Sequence, residues 1–132
     1  MSQRRSLEID GVTHGKTPIP QGAKIGPFVF SSAIAGIDPS TGSIPPDPKR
    51  QVQLVFQHVR SFMQNAGGSP DDIGKMTVYL ADEQYRDLVN EEWVKMFPDP
   101  ASRPARHSTV SQLRNGALVQ VEITAVIDST RK

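Results

Sequence analysis

Arg106 and Glu122 are the side chains in this sequence whose types and settings could do chemistry. Arg106 follows the rigid entry Arg103-Pro104-Ala105 and opens a β-like run, Ala105–Val110. A guanidinium there offers a planar fork matched to a carboxylate, and it keeps its charge. Glu122 lies inside the apolar run 118–127, where a carboxylate is costly unless it has a partner or a task. Strand alternation sends Ser108 to the side of Arg106 and His107 to the other. Arg106 and Ser108 would then be a donor pair for a small carboxylate, while Glu122 could hold a water or move a proton. A structural Arg106–Glu122 ion pair is the simpler alternative. The residues alone leave both open, with a slight preference for the ion pair.

The remaining candidates are weaker. His14 sits in the Gly-, Thr- and Pro-rich stretch 10–21, as a surface histidine or as the rim of a pocket covered by that arm. His58 borders an apolar helical stripe and reads as solvated. His14, His58 and His107 lack ligand spacing and Cys is 0, so neither a metal site nor thiolate chemistry is expected. Phosphate-binding loops, serine elbows and calcium loops have no match. Ser31-Ser32 followed by Ala33 ends a strand in small residues, where a ligand could approach the backbone or a turn could pack tightly.

These residues need elements to position them. Short strands are expected at 6–9, 23–25 and 28–32, the last two joined by Gly26-Pro27. Val52, Val55, Phe56, Val59, Phe62 and Met63 follow helical spacing over 49–66, with Gly67-Gly68 as the stop. Ser69 can cap one helical turn, and 73–80 alternates as a strand. Asp82 can cap a second helix with the stripe Tyr85, Leu88, Val89, Trp93, Met96 and Phe97. Asn90 lies beside that stripe and is a poor mid-helix residue, so it is exposed or contacts a neighbouring loop or subunit. Strands at 105–110 and 118–127 close the order β-β-β-α-β-α-β-β, an α+β sheet with both helices on one face. The opposite face carries Tyr79, Gln120, Glu122 and Thr124, and could be buried against copies of the same chain.

A length of 132 residues fits a single domain over 1–132, with frayed tails at 1–5 and 129–132. A net charge of +1 without a basic stripe argues against a nucleic-acid partner. No signal peptide and no apolar run long enough to cross a bilayer is present, so no membrane partner and a cytoplasmic location are expected.

Several motifs together resemble the Rid family of reactive intermediate deaminases. This family is also called YjgF, with the older labels endoribonuclease L-PSP and translation inhibitor. The motifs are Ile25-Gly26 before the 28–32 strand, Gly36-Ile37-Asp38-Pro39-Ser40-Thr41-Gly42 and Ala66-Gly67-Gly68-Ser69 with Asp71-Asp72-Ile73. They continue with Lys75-Met76-Thr77-Val78-Tyr79-Leu80, Val89-Asn90, Arg103-Pro104-Ala105-Arg106 and Val121-Glu122-Ile123-Thr124-Ala125. The resemblance runs from about Pro18 to Ile127; its motifs are specific jointly and not singly.

The resemblance implies a chorismate-mutase-like α+β fold and a homotrimer with clefts between subunits. It implies hydrolysis of small enamine or imine acids, such as 2-aminoacrylate, to the 2-oxo acid and ammonia, without metal or organic cofactor. Arg106 matches the arginine that grips the substrate carboxylate, and Glu122 the glutamate that positions water. Ser32 matches a pocket serine, and Asn90 a second-helix residue near the cleft. Ser108 falls where many members have Cys. The sequence also departs from the pattern. The pocket tyrosine of the best-known members falls at about Ile19, and their Ser-Gly-Gln reads Ser32-Ala33-Ile34. His14 and His107 are additions that would form a different pocket wall, and the spacing from Arg106 to Glu122 differs slightly. Two other functions remain as alternatives: a non-catalytic trimeric binder of small carboxylates, and an RNA-cleaving translation inhibitor in which His107 or His58 would act as acid and base.

Overall fold

The computed structural model describes residues 3–128. The strands are β1 (Arg5–Leu7), β2 (Gly22–Ile25), β3 (Phe28–Ser31), β4 (Ile34–Ala35), β5 (Ile73–Leu80), β6 (Ala105–Val110) and β7 (Val119–Val126). Helix α1 (Pro48–Asn65) lies between β4 and β5, and α2 (Arg86–Met96) between β5 and β6. The strands form one sheet in the order β1-β2-β3-β7-β5-β6, with β4 also paired to β7. Every pairing is antiparallel except β5 with β6. That parallel pair needs a crossover, and α2 supplies it.

Asp47 caps α1 by accepting from the Lys49 amide. The helix buries Val52, Val55, Phe56, Val59, Phe62 and Met63, the stripe expected from their spacing. They pack on Met76, Val78 and Leu80 of β5 and on Val121, Ile123 and Ala125 of β7, all in one core cluster with Val89, Trp93 and Met96 of α2. Both helices thus lie on one face, because alternate residues of the central strands are apolar on that side only. Gly36 lets β4 run close beneath α1: a Cβ there would come within 2.4 Å of the Gln51 carbonyl oxygen.

Several details differ from the sequence-based expectation. The two-residue β4 is an additional strand; it is too short to show a period. Asp82 caps a 3-10 turn, Glu83–Tyr85, which precedes α2. His58 is buried at 4% exposure rather than solvated, because its Nε2 hydrogen-bonds the Ile37 carbonyl at 2.6 Å and covers the turn after β4. At the N-terminus, Arg5 of the expected tail pairs with Lys24 in β1, and the tail expected over 129–132 lies outside the described residues.

Candidate active site

Arg106 stands opposite Met76, and Ser108 opposite Val78, across the parallel β5–β6 pair. Met76 and Val78 point into the helix-side core, so Arg106 and Ser108 share that face. The guanidinium lies 5.1 Å from the centre of the Trp93 ring, and its Nε donates to Ser108 Oγ at 3.2 Å. Its place over the Trp93 ring adds a cation–π attraction. Burial pulls the Arg106 pKa below the ordinary arginine value, and the nearby Arg86 charge adds to that effect. The ion pairs of the described residues are His14–Glu8, Arg86–Glu83 and Lys95–Glu92, and none involves Arg106. A half-buried guanidinium without a carboxylate partner retains an unspent affinity for an anion.

Glu122 stands opposite Thr77 across the β5–β7 pair. Thr77 alternates with the core residues, so Glu122 lies on the other sheet face. There it accepts a hydrogen bond from Tyr79 Oη at 3.1 Å. That bond raises the Tyr79 pKa, so the phenol keeps its proton and holds the carboxylate in place. Arg106 and Glu122 of one chain are therefore separated by the sheet. The ion-pair alternative is excluded by geometry, and a single chain does not bring the two residues into one pocket.

Ala33 adjoins Glu122. The register Ile34 to Val121 continues to place Ala33 beside Glu122, whereas the β3 register pairs Phe30 with Thr124. Residues 31–33 thus face only residues 122 and 123, a β-bulge. Ser31 fills the interrupted ladder by accepting from the Ile123 amide at 2.8 Å. Ser32 donates its hydroxyl to the Pro20 carbonyl at 2.8 Å, tying the N-terminal arm to the strand end. Ala33 also borders a cleft of about 260 Å³ that is lined by His14, Ile37, His58 and Asn115. His14 spans the arm, with Nδ1 on the Thr17 carbonyl at 2.8 Å and Nε2 on Glu8 at 3.3 Å. The Thr17 contact, then Glu8, raises its pKa above 6.5.

The structure thus brings together Arg106 with Ser108, Ala33 with Glu122, and His14 with Ala33. Asn90 is exposed on α2, and His107 is exposed on the Glu122 face. Ile19 is 54% exposed on the arm, while Ile34 is buried in the core and lines the inner wall of the same cleft as Ala33 and His14. Trp93 and Tyr79 were read from the sequence only as an apolar stripe residue and a face residue. Their direct contacts to Arg106 and Glu122 depend on register between distant strands, which no local pattern carries.

The family described as endoribonuclease L-PSP matches residues 16–127. A RutC family protein from Aquifex aeolicus is 33% identical over 117 residues, spanning 84% of this chain and 94% of that protein. A 2-iminobutanoate/2-iminopropanoate deaminase from Salmonella typhimurium is 32% identical over 110 residues, spanning 83% of this chain and 85% of that protein. Among solved structures, E. coli TdcF with bound serine superposes with a TM-score of 0.84 at 28% identity, covering 94% of this chain and 99% of that one. With the fold and the extent of these matches in agreement, the chain belongs to the Rid/YjgF family, the endoribonuclease L-PSP family of the older nomenclature.

Proposed function

We propose that this protein is a cofactor-free hydrolytic deaminase of small imine and enamine acids. It works as a homotrimer whose clefts join Arg106 of one copy to Glu122 of the next. The observation that carries this reading is the half-buried Arg106, set over Trp93 and bonded to Ser108, with no carboxylate partner among the described residues. The names of the deaminase relatives support the reaction class. Two features support assembly. Arg106 and Glu122 lie on opposite sheet faces, so one substrate can meet both only if a neighbouring copy supplies one of them. The Glu122 face also exposes Ile25, Phe28, Phe30 and Val126 at 40–48%, an apolar surface suited to burial between copies.

In the proposed reaction Arg106 binds the substrate carboxylate in a bidentate fork and Ser108 supports the fork. The enamine acid tautomerises to the imine, whose carbon is electrophilic once its nitrogen is protonated. Glu122 accepts a proton from water as its oxygen bonds to that carbon, and the Tyr79 hydroxyl holds the carboxylate during the transfer. Glu122 then returns that proton to the amino group of the tetrahedral adduct, and the C–N bond breaks to release ammonia, which takes up the hydroxyl proton as the carbonyl of the 2-oxo acid forms. The protein contributes mainly orientation and charge placement, which suits a site built without a strong nucleophile.

The test generates 2-aminoacrylate in situ with a dehydratase and follows pyruvate release with and without the purified protein. Acceleration above the uncatalysed hydrolysis is expected. No acceleration at any protein concentration rejects the deaminase reading.

A further inference from the structure

A second arginine stands close to the carboxylate anchor. Arg86 opens α2, and Arg86, Asn90 and Trp93 follow one another at the spacing of a single helix face. Because α2 connects the parallel strands β5 and β6, it runs back against β6, and its first turn lies toward the Ser108–Val110 end of that strand. The Arg106 side chain extends in this same direction, since its Nε reaches Ser108 two residues along the strand. The guanidinium of Arg106 therefore points from the Trp93 ring toward the turn that carries Arg86. Proximity is also visible electrostatically, because the Arg86 charge disfavours the charged form of Arg106.

Two like charges held near each other repel, and a bound anion relieves that repulsion. A monocarboxylate on Arg106 neutralises only one of them. Arg86 has a counter-ion in Glu83, three residues earlier, but that pair is well exposed and so contributes little. An anionic group on the ligand could replace Glu83 at small cost. Asn90, exposed one turn after Arg86 on the same helix face, offers an amide donor there.

We infer that the site prefers substrates with a second carboxylate on a short chain, Arg106 holding the carboxylate next to the imine carbon and Arg86 the distal one. The inference rests on the reading of Arg106 as a carboxylate anchor and deepens it by naming the substrate class. The reaction is the same hydrolysis: the dicarboxylic imine and water give the 2-oxo dicarboxylic acid and ammonia.

Calorimetry on the assembled wild-type protein compares 2-oxoglutarate with 2-oxobutanoate, which differ by the distal carboxylate. At least tenfold tighter binding of 2-oxoglutarate is expected. In Arg86→Gln that advantage disappears, because 2-oxoglutarate loses at least tenfold more affinity than 2-oxobutanoate. Equal wild-type affinities, or an advantage that survives in Arg86→Gln, overturn the inference and leave the deaminase reading standing. If neither ligand binds the wild-type protein, the Arg106 anchor itself is rejected, and the inference with it.

Discussion

The proposed chemistry concentrates in Arg106. Its guanidinium is half removed from water, set between Trp93 and Ser108, and without a carboxylate partner among the described residues. Replacing Arg106 by Ala is expected to lower kcat/KM by well over tenfold, since truncating a desolvated charged contact costs about 2–5 kcal/mol. Steady-state kinetics on an in situ generated imine acid read this, and unchanged kinetics reject the role. His14 gives a pH prediction. Its pKa is raised in the folded chain by the Thr17 carbonyl and then Glu8, so the protonated form is the stabilising one. The contribution is full below the unfolded-state value and is lost as pH rises through the higher folded value. Thermal unfolding should therefore separate wild type from His14→Ala in mildly acidic buffer and bring them together in alkaline buffer. A gap that widens with pH contradicts this sign. Strand parity in the sequence already grouped Arg106 with Ser108, and Tyr79 with Glu122. It could not say that the two groups lie on opposite faces. That depends on β5 setting Met76 against Arg106 and Thr77 against Glu122, a register between segments far apart in the chain.

At the scale of elements, one buried amide holds the loops around the core together. Gln51 of α1 is 1% exposed. It donates to the carbonyls of Pro45 at 2.8 Å and Gly116 at 3.0 Å, and accepts from the Leu118 amide at 2.9 Å. Gln51→Leu keeps the volume but orphans these groups, and should destabilise the fold by about 3 kcal/mol in denaturant unfolding. A loss below a few tenths would show that the loops find other partners. Gln51 was not legible in the sequence, because a polar residue among apolar helical positions looks like an exposed one. The helices and long strands were legible, since their periods of 3.6 and 2 run for several repeats. The break between β3 and β4 was not: its bulge is closed by Ser31 reaching the Ile123 amide, a contact between residues with no local relation. The burial of His58 is hidden in the sequence for a related reason. The Ile37 carbonyl that satisfies it comes from a loop whose path no periodicity describes.

At the scale of the whole molecule, the sheet has one face covered by helices and another on which Phe30 is 44% exposed. If that face is buried between copies, Phe30→Lys places a charge in the contact. Sedimentation equilibrium should then show the wild type as a trimer and the variant shifted toward monomer, with its far-ultraviolet dichroism unchanged. A monomeric wild type sinks the assembly. The central claim is that each active cleft takes Arg106 from one copy and Glu122 from another, and mixing inactive variants tests it most directly. Arg106→Ala and Glu122→Gln are each expected to be inactive alone. After subunit exchange in equal amounts, verified by native mass spectrometry, roughly a quarter of wild-type activity should return, because that fraction of clefts in a head-to-tail ring pairs an intact arginine with an intact glutamate. Mixed trimers that form and show no recovery would contradict the shared site.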